Sequence, residues 1–234
     1  MAAAPPVPVA LSFEAIDDLI YSARVGDIES LRADITRLSQ ENNTSPAAII
    51  ESAIDNEDEA EGGTGACLLH WPAANGNVEI LKYLLESLSA ESASASNSVN
   101  GTTSAPLSRL VNHRNNSGST PLHWAAINTH FDCVKALVDA GADVNIKNDA
   151  GHDAAFLAER AQWSRQGNDD TPSEQEGESA EESASSAPPG TEGTRVVKLL
   201  LERAAVAEED AGGTDGNSRV ANDGMEGVEK TGTS

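Results

Sequence analysis

Aromatic residues are scarce in this 234-residue chain, where Phe, Trp and Tyr together make up 3% of the sequence. Bulky rings normally supply much of the buried area of a large core. Their scarcity therefore argues against one large core. The length suits a single domain with disordered additions, or two small domains.

Basic residues are also few. Fifteen Lys and Arg residues stand against 38 Asp and Glu residues, which gives a formal net charge of -23 at pH 7. This charge repels the phosphates of nucleic acids and membranes and favours basic partners. We therefore expect no direct binding to nucleic acid or to a membrane.

Cysteine is rare as well, and the sequence shows no targeting signal. The two cysteines, Cys67 and Cys133, each lie in an apolar helical pattern and are expected to be reduced core thiols in a reducing compartment. The N-terminal "MAAAPPVPVA" has no basic segment, and no apolar run approaches the length of a membrane span. These absences favour neither secretion nor membrane insertion.

A repeated helical unit is what the chain does contain. The clearest copy, "GSTPLHWAAINTHFDCVKALVDAGADVN", begins at Gly118, and "GACLLHWPAANGNVEILKYLLE" begins at Gly65. A third copy, "GHDAAFLAERAQ", begins at Gly151, about 33 residues after Gly118. Its second helix is displaced to "TRVVKLLLERAA" at 194–205, and "DDLIYSARVGDIESLRADI" is an N-terminal copy.

The sequence thus predicts four helical hairpins separated by segments too polar to offset the entropy of ordering them. The repeat domain is expected over 11–205, with a cap repeat at 11–38, repeats at 62–88 and 115–141, and a split cap repeat at 148–164 plus 194–205. Disorder is expected at 1–10, in the inserts 39–61, 89–106 and 165–193, and in the acidic tail 206–234.

The residues of the clearest copy suit a helix pair. The Thr120 hydroxyl is expected to cap the first helix, and Pro121 follows where its missing N–H costs nothing. Gly141 is expected to end the second helix in the left-handed conformation. In the preceding copy Cys67 replaces Thr, and Pro72 stands inside the first helix, which it is expected to kink.

These residues resemble the ankyrin repeat, whose signature "STPLHWAA" and "GADVN" match. The resemblance implies an all-α solenoid of stacked helix pairs with projecting β-turn fingers and capping repeats at both ends. In the third copy "DAAFLAER" has lost Thr, Pro and His, which fits a C-terminal cap with a more polar outer face.

A narrower resemblance rests on "GHDAAFLAE", the N-terminal copy, the few repeats and the acidic tail. These features resemble the fungal ankyrin-repeat chaperones dedicated to small-subunit ribosomal protein three. The resemblance implies a monomeric cytoplasmic and nuclear escort that keeps a basic ribosomal protein soluble before assembly. The alternatives are a regulatory adaptor for a signalling or transcription factor, and an enzyme subunit, for which no second folded domain remains.

No catalytic, cofactor or metal site is predicted. His70 and His123 recur at one repeat position, which indicates a structural link between a loop and a helix start. No Cys, His, Asp and Glu set has the spacing of metal ligands, and no phosphate-binding loop follows a strand.

A partner-binding surface is predicted instead. Trp71 and Trp124 also recur, either as packing between hairpins or as anchors on the concave face. By repeat position, the small or polar residues Ala74, Asn75, Asn116, Ser117, Ser119, Ile127, Asn128, Asp149, His152 and Arg160 are expected on that face and to attract little. The attraction for a Lys/Arg-rich client is expected from the acidic residues Asp55, Glu57, Asp58, Glu59 and Glu61.

Overall fold

The computed structural model describes residues 9–56, 63–95, 106–166 and 189–211. Within these ranges the regular structure is helical, and one antiparallel bridge pairs Ile54 with Cys67 at the base of a finger. The helices are α1 (Phe13–Val25), α2 (Ile28–Glu41), α3 (Pro46–Ser52), α4 (His70–Asn75), α5 (Val78–Ala95), α6 (Pro106–Val111), α7 (Pro121–Ile127), α8 (Phe131–Asp139), α9 (Ala154–Gln166) and α10 (Pro189–Ala211).

Four of the helix pairs form a stack. Helices α1 and α2, α4 and α5, α7 and α8, and α9 and α10 each pack as a hairpin. The inner helices α1, α4, α7 and α9 contact one another in that order, and α8 joins the outer helices α5 and α10. This arrangement confirms the predicted all-α solenoid of four hairpins.

Helix α3 lies where the sequence predicted a disordered insert, 39–61, and that prediction is wrong for 46–52. The Ser45 hydroxyl accepts from the Ala48 N–H (3.2 Å), and Ile49 and Ile50 are fully buried. Helix α3 packs against both α2 and α5. The apolar run was too short to show a helical period beside the acidic residues that follow it.

Other predicted disorder boundaries also shift. Helix α5 continues into the insert 89–106 as far as Ala95, and α10 begins at Pro189 and reaches Ala211 inside the predicted tail. Ala-rich polar sequence extends a helix that is already nucleated at little cost. Val9, expected in the disordered N-terminus, donates its N–H to Ser52 Oγ (3.1 Å). The remaining predicted disordered segments, 1–8, 57–61, 96–105, 167–188 and 212–234, lie outside the described residues.

The core is aliphatic. Its buried apolar side chains are Ala, Leu, Ile, Val and Cys, and no aromatic side chain is buried among the described residues, which include every aromatic residue of the chain. Phe13, Tyr21, Phe156 and Trp163 are exposed, and the other aromatic rings are half-buried. The rare aromatic rings therefore contribute to the surface of the stack.

Histidine side chains join neighbouring repeats. Their Nε2 atoms lie within hydrogen-bond distance of backbone carbonyls, which only accept, so each Nε2 carries the proton. This geometry confirms the predicted structural role of His70 and His123. The bonds are His70 to Ser119 (3.1 Å), His123 to His152 (3.1 Å), His113 to Gly65 (2.9 Å) and His130 to Ala74 (3.0 Å).

Cys67 performs the task of the threonine that it replaces. In the clearest repeat the Thr120 hydroxyl lies 2.8 Å from His123 Nδ1, and in the preceding repeat Cys67 Sγ lies 3.2 Å from His70 Nδ1. Burial raises the pKa of Cys67 to about 12, so the thiol keeps the proton that it donates. Cys133 is likewise free and buried, which confirms the two predicted core thiols.

Pro72 does not interrupt α4. It is the third residue of the helix, where a backbone N–H has no intrahelical partner to lose. Its carbonyl accepts from the N–H groups of Gly76 and Asn77 at the end of the helix. The physical reason for the expected kink is therefore absent.

The burial of α3 yields a first testable prediction. Ile50→Ala should lower the free energy of unfolding by about 2–5 kcal/mol, because it removes a fully buried side chain from between packed helices. Leu201→Ala, at a position that is 53% exposed, is the control and should change it by less than about 0.5 kcal/mol. Urea unfolding followed by circular dichroism measures both; equal, small effects would mean that α3 does not belong to the folded stack.

A second prediction concerns acid. Burial lowers the pKa of His70 to about 4 from its ordinary value of 6.5. Above pH 6.5 the imidazole is neutral in both the folded and the unfolded chain. As the pH falls from 6.5 towards 4, the unfolded chain gains a proton that the folded chain does not. Between pH 7.5 and 5.0 this linkage should cost about 2 kcal/mol of stability.

The matched variants are His70→Gln and Leu84→Ala, both at fully buried positions. His70→Gln should be less stable than the wild type at pH 7.5, because the Ser119 carbonyl loses its partner. Its deficit should shrink at pH 5.0, whereas the deficit of Leu84→Ala should stay constant. A constant deficit for both variants would place the acid sensitivity elsewhere.

Candidate partner-binding surface

Three aromatic residues occupy one repeat position on successive inner helices. Tyr21, Trp71 and Trp124 each precede by five residues a turn residue with positive φ: Gly26 (φ 90°), Gly76 (φ 76°) and Thr129 (φ 58°). These turns set the register of α1, α4 and α7. We call Tyr21, Trp71 and Trp124 the aromatic row.

The aromatic row is partly structural. The Trp71 and Trp124 rings meet edge to face with centroids 5.3 Å apart, and the Trp124 ring also contacts the His70 ring (5.0 Å). This confirms packing between hairpins for both tryptophans, which remain half-buried. Tyr21 is 65% exposed. Contact of the row with a partner stays a prediction.

The face of Trp71 already holds a cation. The Arg24 guanidinium lies 5.5 Å from its ring centroid, an arrangement favoured by the negative face of an indole. The Asn75 side chain donates to the Arg24 carbonyl (2.8 Å), which ties α4 to α1. The row therefore offers apolar area together with ring faces that attract positive charge.

Residues beside the row include a second apolar contact point. Ile127 is 46% exposed, Asn128 is half-buried and donates to the Trp124 carbonyl (3.1 Å), and Ala74 is half-buried. Arg160 is exposed on α9. Ile127 and Tyr21 are accessible here, and the expectation that the small and polar residues of this face attract little stays a prediction.

The predicted finger residues mainly hold neighbouring fingers together. The Asn116 side chain donates to the Gly63 carbonyl (3.1 Å), and the Asp149 N–H donates to the Ser117 carbonyl (3.1 Å). Ser119 is buried, so its side chain lies below the surface. Its carbonyl accepts the hydrogen bond from His70 that joins the two repeats. Other fixed positions are Asp149, paired with Arg114 (2.9 Å), and His152, stacked on Phe156 (4.3 Å).

Asp55 also has a structural task. Its Oδ2 accepts from the Thr64 N–H (2.8 Å) and the Thr64 hydroxyl (2.6 Å), which closes the base of the finger. The acidic sequence around Asp55 does not show that this residue binds Thr64, nine residues later. The other predicted acidic residues, Glu57, Asp58, Glu59 and Glu61, lie outside the described residues.

The C-terminal end of the stack differs from its prediction. Phe156 follows Gly151 by five residues, as His123 follows Gly118, but it is 44% exposed where His123 is buried. Trp163 is 76% exposed on the same helix. The expectation of a polar outer face is therefore wrong. The described residues include no later repeat that would cover the position of Phe156.

Sequence reasoning missed Tyr21, Phe13, Phe156 and Trp163 as surface residues. The N-terminal copy lacks the finger signature, so the sequence alone does not show that Tyr21 occupies the same repeat position as Trp71 and Trp124. One sequence signal could have found them: in a chain with so few aromatic residues, the apolar repeat positions are already filled by aliphatic side chains. Aromatic rings outside those positions are therefore expected on the surface.

Several basic side chains of the described residues form contacts between repeats. Arg32 lies over Tyr83 (4.8 Å), and Arg195 lies over Phe131 (3.8 Å). Each exposed ion pair contributes only about 0–1 kcal/mol, but together they tie helices and fingers. The ion pairs between repeats are Arg109–Glu51, Arg114–Asp149 and Arg203–Asp139.

Within the described ranges, no group of three or more His, Cys, Asp or Glu side chains is placed to hold a metal ion. No helix in those ranges is long and apolar enough to cross a membrane.

Known proteins with similar sequences share the repeat. The "Ankyrin repeat-containing protein YAR1" of Saccharomyces cerevisiae is 30% identical over 146 residues, which is 62% of this chain and 62% of that protein. The chain thus matches less than two thirds of that relative's length. "Palmitoyltransferase akr1" of Aspergillus oryzae is 57% identical over 37 residues, 16% of this chain and 5% of the transferase.

A solved structure matches the fold. It is the crystal structure of the yeast ribosomal protein Rps3 in complex with its chaperone Yar1. The match has a TM-score of 0.53 and 31% identity, and covers 70% of this chain and 100% of the matched chain. The family described as "Ankyrin repeats (3 copies)" matches residues 19–148, more than half of the sequence. The chain belongs to the ankyrin-repeat family.

Proposed function

We propose that this chain is a chaperone that binds a basic small-subunit ribosomal protein and keeps it soluble before ribosome assembly. The observation that carries the proposal is the match to a whole chain of the Yar1–Rps3 complex at 31% identity. Sequence similarity to Yar1 over 62% of both proteins supports it. The client would be the counterpart of Rps3, met in the cytoplasm and nucleus.

The surface fits such a client. The aromatic row and Ile127 offer apolar anchors of the kind that dominate binding energy. The net charge of -23 complements a basic protein and repels the RNA that competes for it. The chain would act as a monomer with one client, by binding and not by catalysis. Similarity to the transferase is confined to 37 residues and supports no transfer activity.

The acidic run is proposed to steer the client. Glu57, Asp58, Glu59 and Glu61 lie within six residues after Asp55 in the sequence, ahead of the first full repeat. Charges near a binding surface raise the association rate, and salt screens them over about 10 Å at 0.1 M ionic strength. Asp55 carries the same charge and would contribute to steering, but its Oδ2 also binds Thr64 at the base of the finger, so its replacement would disturb the fold as well.

The test neutralises the four steering residues by Glu57→Gln, Asp58→Asn, Glu59→Gln and Glu61→Gln, and leaves Asp55 intact. Association with purified ribosomal protein three should slow by about tenfold at low salt and be unchanged at 0.5 M salt. The control makes the same charge change by Asp169→Asn, Asp170→Asn, Glu174→Gln and Glu176→Gln. Biolayer interferometry at both salt concentrations gives the rates; equal slowing in both variants would assign the effect to net charge alone.

The chaperone activity itself is read by light scattering of the client at physiological salt. An equimolar amount of this chain should suppress client aggregation, and added RNA should compete with the chain for the client. If the client aggregates equally with and without the chain, the chaperone proposal fails and the adaptor alternative takes its place.

A further inference from the structure

We infer that a groove between α1 and the finger ahead of α4 seats an apolar side chain of a basic partner segment. The inference rests on the proposed function, since the partner is the basic client, and it names the place where the client is held. We call this the N-terminal groove. Its volume is about 480 Å³, within the usual range of sites that bind small groups.

The wall of the N-terminal groove is apolar. Leu11, Phe13, Ile16 and Ile20 line it from the N-terminal side, and Ile54 lines it from the finger. Phe13 is 60% exposed, so an apolar surface is available at the mouth. Apolar area of this kind gains free energy when a partner covers it, by about 25 cal/mol per Å².

The Trp71 ring also lines the groove, and it is half-buried. Its Nε1 is buried with no hydrogen-bond partner among the described residues, so this N–H is covered and does not face a partner. A seated segment would therefore contact the ring itself and add apolar area to the contact.

The charges of the groove select a basic occupant. Asp17, Asp55 and Arg24 line it, and Arg24 lies over the Trp71 ring. The two carboxylates outnumber the guanidinium. Asp55 Oδ2 is bonded to Thr64, whereas Asp17 is exposed and can pair with a cation from a partner. Glu14 and Asp18 are exposed beside it on α1. A second copy of this chain, with a net charge of -23, is therefore a poor occupant.

The expected occupant is thus a segment with one apolar side chain flanked by Lys or Arg. The apolar side chain would contact Phe13, Ile20 and the Trp71 ring, and a flanking cation would pair with Asp17. This gives the N-terminal repeat a recognition role besides that of a cap. The aromatic row then continues the contact towards the later repeats.

The test compares matched pairs at the two ends of the stack. Phe13→Ala, Asp17→Asn and Trp71→Phe alter the groove, and Phe156→Ala, Glu159→Gln and Trp163→Phe make the same changes on α9. Each groove variant should weaken binding of purified ribosomal protein three by about fivefold or more, the usual threshold for an interface residue that matters. Each α9 variant should stay within about twofold of the wild type.

The outcomes separate the two proposals. If the wild type does not bind the client, the proposed function fails. If the wild type binds and both sets of variants bind equally well, the function stands and the groove inference is overturned. Thermal unfolding shows whether Trp71→Phe is folded. Should it be unstable, the exposed positions Phe13 and Asp17 decide the question.

A photo-crosslinker gives a second measurement on the full-length chain. Phe13→p-benzoylphenylalanine should cross-link to the client, and Trp163→p-benzoylphenylalanine should not. The cross-linked client residue should lie within a few positions of Lys or Arg. A cross-link to an acidic or uncharged segment would contradict the proposed chemistry of the occupant.

Discussion

The whole stack depends on hydrogen bonds between repeats, and the buried imidazoles make these bonds, which fix the orientation of one repeat on the next. Each hairpin leaves an apolar face bare, and apolar contact alone does not fix how the next hairpin sits. His70 and His123 each bond a carbonyl of the next repeat, 49 and 29 residues away along the chain. The entropy cost of closing a loop grows slowly with its length, so inserts of different sizes are tolerated while these links set the register.

This dependence on close stacking explains the placement of the aromatic residues. Inner helices that approach closely need small side chains, and Ala73, Ala125 and Ala126 are buried at their contacts. Rings are too large for these positions, so they lie at the edges of the stack, where Arg24 covers Trp71 and Arg195 covers Phe131. An aliphatic core and an aromatic surface are two consequences of one packing constraint.

The repeats could be predicted because each is encoded locally, by residues at fixed spacing around His70 and His123. The parts that failed depend on contacts distant in sequence. Helix α3 is stable only because α2 and α5 bury Ile49 and Ile50, and a seven-residue run does not show those neighbours. The task of Asp55 was hidden for the same reason, since its partner Thr64 lies nine residues away along the chain.

The candidate site combines two forces that act over different distances. Several basic side chains are held in contacts between repeats, and the chain has far more acidic than basic residues, so its excess negative charge acts on partners through the solvent. That attraction reaches about one Debye length, 8–10 Å at ordinary ionic strength, and so governs encounter. The groove beside Phe13 and Trp71 acts only on contact, and so governs how long a bound segment stays. Because salt screens the first force and leaves the second nearly intact, a partner would meet this chain through charge and remain through apolar contact.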